Sequence, residues 1–525
     1  MRKQTSRLVE WLFSDSNPSR IFARGFHWLI YHPENLSFFR HPEHAHARRS
    51  ASEAARKLPL YSTAFGALRL ASAHARCESL EKLEIPPPVV QLLREGLGEA
   101  LEHAAPEHVF PALLCVLEGI DRCYGAVIRR AYAREARCSD RAELELEDAH
   151  ALPLPESETD LDDDARSDRP PIQWIRGDHA RLEAYFSYIT AAPPIAELAL
   201  RAALHRSSFR VDRSSARGDV LRVGLVDVLC ERSDLAIHVG NAVYWVPEFV
   251  DRDTVLARLE WALKLFAEEE EPLDLIVLPE LSSDPGVACR VADFVRDQLV
   301  RKNHRAYAVL GSLHVRDACE GDDCGQYRNS LYVASAEGLL EWSYWKYEAM
   351  DLELAPGFQR REALGRPPQH IVAIDTPFGR LCPVICKDFL TEHVLRQVVS
   401  LRANVIVVPC MTRAHSVSQF WSIARNVAAS NLATTVFANS SLDVRERTSE
   451  RSALEAPLGF VHPGARCTLE QCPRHLLPDG PSTAIAAVYE VPIRGRAREC
   501  GPRESAPSVH WTRDGLASQH GRGLP

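Results

Sequence analysis

Apolar positions in this chain change their period along its length, and the changes divide it into regions. Over residues 1–137 they recur every three or four positions, best in PPPVVQLLREGLGEALEHA and in PEHVFPALLCVLEGIDRCYGAVIRRAYAREAR. In the first, Val89, Leu92, Leu93, Leu97 and Leu101 fall on one helical face, and the prolines ahead of them suit a helix start. This region is predicted to be a helical domain. Residues 138–171 then turn acidic and proline-bearing (ELELEDAHALPLPESETDLDDDARSDRPP), which predicts a linker or surface excursion too polar to order itself, or an acidic lure for a basic partner. Two shorter helical stretches, RLEAYFSYIT and IAELALRAALHR, make 172–218 a helical connecting segment.

From residue 219 onward, short β-branched runs alternate with amphipathic helices. VLRVGLVDVLC predicts a strand, and TVLARLEWALKLFAEEEE a helix with Leu256, Leu259, Leu263 and Phe266 on one face. LDLIVLPEL, AYAVLGSLHV, SLYVASAEG, HIVAIDTP, GRLCPVICKDF, ANVIVVPCM and LATTVFANSS continue as strands. Such alternation predicts an α/β layered domain over 219–495. The last residues, 496–525, are expected to form a disordered tail.

Composition narrows the function classes. The chain has 525 residues, beyond the roughly 250–300 at which one core stops growing, so two domains are expected. With 46% hydrophobic residues, 25% charged residues and a net charge of −9, it offers no broad attraction for nucleic acid or anionic lipid. No apolar run reaches the roughly 18 residues of a membrane span, and MRKQTSRLVEWLFSDSNPSR lacks a long apolar signal region. The expected location is the cytoplasm. Its 14 cysteines are scattered, several in apolar stretches, which predicts mostly reduced, buried thiols. His41, His44 and His46 cluster without acidic or cysteine partners nearby and are read as a solvated loop.

Three polar residues stand where strand patterns end, the place where α/β domains expose reactive groups. Glu280 closes LDLIVLPE and is either a plain strand-end carboxylate or a general base at a partly desolvated rim. Cys386 follows the apolar run LCPVI and precedes the helix-compatible TEHVLRQVVS. It is either one more buried thiol, like Cys382 or Cys410, or a nucleophile at a helix start, where free backbone N–H groups hold an oxyanion. Lys346, amid Tyr344, Trp345 and Tyr347, either snorkels to water or pairs with a carboxylate and stabilises developing negative charge.

Taken in order, LIVLPEL, GSLHVRD, YRNSLYVASAEG, WKYEAMDLELAPGF, FGRLCPVICKDF, RANVIVVPCM and FWSIARNVAASNLATTVFANSS resemble the nitrilase, or carbon-nitrogen hydrolase, superfamily. The resemblance implies a four-layer α-β-β-α sandwich, which would follow the mainly α-helical N-terminal domain read from the periodicity. It implies an amidase-type hydrolase of non-peptide carbon-nitrogen bonds acting on a small amide or nitrile, with no cofactor and with assembly into homo-oligomers. It assigns Glu280 as general base, Cys386 as nucleophile and Lys346 as the cation that stabilises the tetrahedral intermediate. A second glutamate beyond the lysine is assigned to Glu353, with Glu348 the runner-up. Lys387 stands where the family often has an aromatic residue, and either depresses the thiol pKa further, binds an anionic substrate or points to solvent. Two loops carry paired cysteines, Cys319 with Cys324 and Cys467 with Cys472, whose four-residue spacing suits either a structural zinc site or plain surface loops. A second functional reading gives the N-terminal domain a protein or nucleic-acid partner, with the nitrilase-like domain sensing or modifying a small amide in a regulatory or defence system.

Overall fold

The computed structural model describes residues 2–31, 55–75, 80, 82–102, 109–138, 144–145, 151–153, 186, 189–191, 201–206, 220–229, 234–304, 306–316, 327–336, 338–355, 358–365, 370–376, 378–401, 403–412, 414–431, 433–440, 459–462, 484–492 and 509–512. It divides into two compact units. The first comprises Met1–Arg210 with Ile374–Gly379 and Val399–Arg402, and the second comprises Val211–Ala373, Arg380–Val398 and Ala403–Pro525.

The first unit is built on helices α1 (Arg2–Leu12), α2 (Pro18–Tyr31), α3 (Pro59–His74), α4 (Pro87–Glu102) and α5 (Val109–Cys138). Asn17 caps α2, its side chain accepting from Ser19 N at 2.9 Å and donating to Leu80 O at 2.7 Å, so one residue both starts the helix and ties it to a distant turn. On α4, Leu93, Leu97 and Leu101 are buried as the periodicity implies, whereas Leu92 is exposed, so the apolar face is narrower than the pattern suggested. Phe22 and Phe26 of α2 pack on Phe186, the first edge-on at 4.7 Å between centroids.

Strands β1 (Leu144–Glu145), β2 (Ala151–Pro153), β3 (Ile189–Ala191) and β4 (Arg201–Arg206) correct two expectations for this unit. β2 pairs with β3 and β1 with β4, both antiparallel, so the acidic segment contributes strands where a linker was expected, and the two stretches read as helical contribute strands instead. Alanine- and leucine-rich residues such as RAALHR favour helix locally, and a cross-strand partner from a distant segment overrides that preference. Apart from Phe186, the remainder of both segments and the histidines of HPEHAHARR lie outside the described residues.

The second unit is the four-layer sandwich. Its strands are β5 (Val220–Val226), β6 (His238–Val239), β7 (Val243–Trp245), β8 (Leu275–Val277), β9 (Tyr307–Arg316), β10 (Tyr327–Ser335), β11 (Gly338–Trp345), β12 (Asp351–Ala355), β13 (Phe358–Glu362), β14 (His370–Thr376), β15 (Gly379–Pro383), β16 (Val405–Met411), β17 (Thr434–Ser440), β18 (Gly459–His462), β19 (Ala484–Pro492) and β20 (Val509–Thr512). One mixed sheet runs β11-β10-β9-β8-β5-β19-β20, parallel at β5-β8-β9 and antiparallel elsewhere. A second carries β15-β16-β17-β18, parallel through β17, and faces the first where β16 meets β9. Helices α6 (Arg252–Glu268) and α7 (Pro285–Lys302) cover the outer face of the first sheet, and α9 (Ala414–Asn431) packs on β17 and β18 of the second. Helix α8 (Glu392–Ser400) precedes β16.

Caps explain where the covering helices begin. Asp251 accepts from Thr254 N at 3.1 Å, and Asp284 accepts from Val287 N at 2.8 Å with Pro285 opening α7. Asn303 ends α7 at φ 49°, in the left-handed conformation that closes many helices. The inner faces of β5, β8 and β9 read as continuous apolar runs because they are covered on both sides. At the C terminus, β20 adds to β19, with Trp511 opposite Ala486, so residues 509–512 are an ordered strand where a disordered tail was expected. The β-prone VHWT completes hydrogen bonds that the edge of β19 otherwise leaves open. The small antiparallel and parallel sheet β12-β13-β7-β6 stands beside the sandwich and brings in residues of the site.

Candidate active site

Glu280 follows β8 by three residues, at a turn made by Leu281 in the left-handed region, φ 60°. The turn sits hard against β9: a Cβ on Gly311 would collide with Pro279 O and Ser282 Oγ, so only glycine lets the strand pass. Leu278 N donates to Val309 O at 3.0 Å and Leu281 N to Ser312 Oγ at 3.3 Å, holding the turn to the same strand.

Three neighbouring strands deliver three more polar side chains in one row. His314 of β9 is in register with Asn329 of β10, and Lys346, just past β11, continues the ladder by donating its N–H to Asn329 O at 2.9 Å. The row leads directly to Glu280. Lys346 Nζ donates to Glu280 Oε1 and to Glu362 Oε2, both at 2.6 Å, and Asn329 Nδ2 donates to Glu280 Oε1 at 2.9 Å and Glu362 Oε1 at 2.6 Å. All four side chains are buried.

Glu362, the last residue of β13, is saturated. It accepts from Lys346, Asn329, His314 Nε2 (3.0 Å) and Met350 N (2.9 Å). Val246 N–H donates into His314 Nδ1 at 2.9 Å, so the ring proton sits on Nε2 and points at Glu362. Burial works to raise the Glu362 carboxyl, but the Lys346 charge and the His314 and Lys346 hydrogen bonds outweigh it and hold the group well below the usual carboxylate range. Likewise burial works against the Lys346 ammonium, and Glu280 and Glu362 outweigh it and keep the lysine charged far above its ordinary value. Glu280 differs from Glu362 in one respect: its Oε2 is buried and has no hydrogen-bond partner among the described residues.

Cys386 approaches from the opposite sheet. It follows β15 and opens a 3₁₀ segment, Cys386–Leu390, with φ 46° at the cysteine itself. A non-glycine residue in that region is strained by roughly 1–3 kcal/mol and persists only where the surroundings impose it. The 3₁₀ turn follows the strand and α8 begins six residues after the cysteine, so the thiol sits in the turn and not at the start of the helix itself. The next buried residue, Asp388, fastens the turn to the lysine segment. It accepts from Tyr344 Oη (2.6 Å), Tyr347 N (2.8 Å) and Glu348 N (2.6 Å). Burial pushes its carboxyl up to about 7 against the pull of those three donors. Lys387 Nζ donates to Ala349 O at 2.9 Å, so its cation ties the same segment. Tyr244 of β7, opposite Glu362 in register, presents its ring edge-on to His314; burial first, and the Glu362 charge next, hold its phenol well above the ordinary value.

The structure thus pairs Glu280 with Lys346 in a buried centre and, through Asp388, fastens the buried Cys386 turn to the lysine's segment, where Glu348 is held by its backbone N–H. Glu353 lies on β12 opposite Gln359, and its side chain is outside the described residues. The carboxylate against Lys346 is Glu362, which sequence reasoning missed along with Asn329, His314 and Asp388. Asn329 and His314 had a signal, being polar residues within the apolar runs YRNSLYVAS and YAVLGSLHVR. Cys319, Cys324, Cys467 and Cys472 lie outside the described residues. Among the described residues no group of three or more His, Cys, Asp or Glu side chains is placed to hold a metal ion, and no helix is long and apolar enough to cross a membrane.

A comparison with curated proteins finds no match. Among solved structures, an amidase from Nesterenkonia sp. is 18% identical, with a TM-score of 0.31 over 42% of this chain and 77% of that one. The NitFhit protein of C. elegans is 16% identical, with a TM-score of 0.35 over 52% of this chain and 61% of that one. A carbon-nitrogen hydrolase from Helicobacter pylori is 18% identical, with a TM-score of 0.30 over 47% and 83%. Residues 242–457, which carry Glu280, Lys346, Glu362 and Cys386, match the carbon-nitrogen hydrolase family, and this stretch of the chain is therefore a carbon-nitrogen hydrolase domain.

Proposed function

We propose that this domain hydrolyses a small amide through a Cys386 thioester, with Glu280 as general base and Lys346 as stabiliser of the oxyanion. The observation that carries the reading is the asymmetry between the two carboxylates at one lysine. Glu362 has every lone pair engaged by a donor and serves as a fixed counter-charge, while Glu280 keeps one oxygen open in the same buried centre. An acceptor left unsatisfied in a dry site is costly, and its use is to take a proton.

The steps follow from donor counting. Glu280 takes the thiol proton of Cys386, and the sulfur attacks the substrate carbonyl carbon. Lys346 has three N–H donors and spends two on Glu280 and Glu362, so the third is available to the oxyanion, joined by the backbone N–H of Lys387. Collapse of the tetrahedral intermediate expels ammonia or an amine, protonated by Glu280. Water, activated by the same carboxylate, then hydrolyses the thioester. Asn329 holds Glu280 and Glu362 at a fixed separation, and Asp388 with Lys387 positions the segment after Lys346 against the cysteine turn. A neutral amide suits a centre with two carboxylates and one cation better than an anion does.

The test is ammonia release from a panel of short aliphatic and aromatic amides and nitriles by the full-length protein, with intact-mass analysis of the acid-quenched parent protein incubated with each. Turnover that disappears in Cys386→Ala, with an acyl adduct on Cys386, is the expected result. An active Cys386→Ala variant, or an adduct on another residue, would refute the assignment.

A further inference from the structure

The strand that ends on Cys386 has a neighbour that ends on a second thiol. β15 and β16 run parallel in register, Leu381 opposite Val405, Cys382 opposite Ile406 and Pro383 opposite Val407, and Val384 N continues the ladder to Val407 O at 2.8 Å. The same offset carried forward sets Cys386 beside Cys410. Adjacent strands lie about 4.8 Å apart, within the roughly 4.4–6.8 Å that the Cα atoms of a disulfide span. The left-handed turn at Cys386 interrupts the ladder, yet the Cys386–Leu390 turn stays packed against β16, the strand that carries Cys410. Both cysteines are reduced, and Cys410 is fully buried. Cys382, by contrast, donates its thiol hydrogen bond to Val372 O at 3.2 Å.

We propose that Cys386 and Cys410 are a redox-active thiol pair, a modification site at which a hydroperoxide closes a disulfide that shuts the nucleophile off and shields it from over-oxidation. In the first step the Cys386 sulfur attacks the peroxide: an S–O bond forms, the O–O bond breaks, and water or an alcohol leaves. In the second, Cys410 loses its proton to Glu280 and attacks the Cys386 sulfenic sulfur, forming the S–S bond and releasing hydroxide, which takes the proton back as water. Two thiols give up two electrons, and the peroxide receives them. The order follows from position, because Cys386 opens the turn after β15 and keeps a trace of exposure, whereas Cys410 lies within β16 and is fully buried. Burial first, and the nearness of Cys386 next, hold the Cys410 thiol protonated.

This chemistry needs a reactive Cys386, as amide hydrolysis does, but it is read by mass and not by turnover. The full-length protein is treated with stoichiometric hydrogen peroxide, alkylated and digested, before and after dithiothreitol. The expected product is a crosslinked peptide pairing Cys386 with Cys410, which the reductant returns to two free thiols. In Cys410→Ser and in Cys410→Ala, Cys386 is expected to pass to the sulfinic acid, with reductant-recoverable Cys386 thiol falling about tenfold relative to the parent. The proposal is overturned if the parent yields sulfinic acid on Cys386 without the crosslink, if Cys386 resists peroxide altogether, or if recovery is the same with and without Cys410. A crosslink formed by a protein that releases no ammonia from any amide would sink the hydrolase reading and leave this one standing; turnover without a crosslink would do the reverse.

Discussion

Replacing Glu362 and Glu280 in turn by glutamine should separate a structural carboxylate from a chemical one, because the two substitutions change charge alike and hydrogen bonding differently. Glu362 receives four donors, from Lys346, Asn329, His314 and Met350. A glutamine there must aim its NH₂ either at Asn329 and His314 or at Lys346 and Met350, and in both cases two buried donors lose their acceptor. At roughly 1–3 kcal/mol for each unsatisfied group, the loss is on the order of 4 kcal/mol. For a domain of this size each kcal/mol lowers Tm by about 2–4 °C, so Glu362→Gln should melt on the order of 10 °C below the parent. Glu280 receives its two donors on Oε1 and none on Oε2, so Glu280→Gln can keep both hydrogen bonds and turn its NH₂ to the open side. Its melting should fall within a few degrees of the parent, about 1 kcal/mol, while amide turnover disappears. Tryptophan-fluorescence melts of the three proteins, paired with ammonia release, make the measurement. Equal melting temperatures for the two variants, or the larger drop in Glu280→Gln, would refute the division of labour drawn from the hydrogen bonds.

Two further outcomes are expected. Asp388 has a folded carboxyl value raised to about 7 from an ordinary 3.8, so the folded protein binds the proton more tightly than the unfolded chain. Its contribution is fully present at acid pH and is lost as pH rises from about 4 to 7, by roughly 4 kcal/mol. Asp388→Asn should therefore flatten the pH dependence of stability in that window, and an unchanged slope in urea titrations would contradict the assignment. Gly311→Ala drives a Cβ into Pro279 O and Ser282 Oγ, so it should displace the Glu280 turn and lower kcat at least tenfold, worth about 1.4 kcal/mol, even where the protein still folds; wild-type kcat in a folded variant would rule out the close-approach argument.

The sandwich was legible in the sequence because its strands are covered on both faces and therefore spell continuous apolar runs, and because Glu280, Lys346 and Cys386 interrupt those runs at their ends. The N-terminal helices were legible for a related reason, their buried leucines recurring at helical spacing. What failed was information carried by distant partners. Residues 201–206 have the composition of a helix and become a strand by pairing with 144–145. The lysine's second carboxylate was sought seven positions on, at Glu353, but β12 and β13 form an antiparallel pair with Glu353 opposite Gln359, and the chain returns to Lys346 only at Glu362. Nothing in FQRRE, a charged and largely exposed strand, distinguishes its last residue from a solvated glutamate until that register is known.

The lysine held between two glutamates also bears on how the surroundings respond during the first proposed step. The negative charge that leaves Glu280 reappears on the attacking sulfur and then on an oxyanion beside the same ammonium, so the net charge enclosed by the site is constant from resting enzyme to intermediate. Dipoles such as Asn329 Nδ2–H and the Met350 N–H have no new ion to solvate and need only small rotations. A pocket organised in this way has its solvent response built in before the substrate arrives, and the barrier it leaves is set by bond making and not by the rearrangement of its own polar groups.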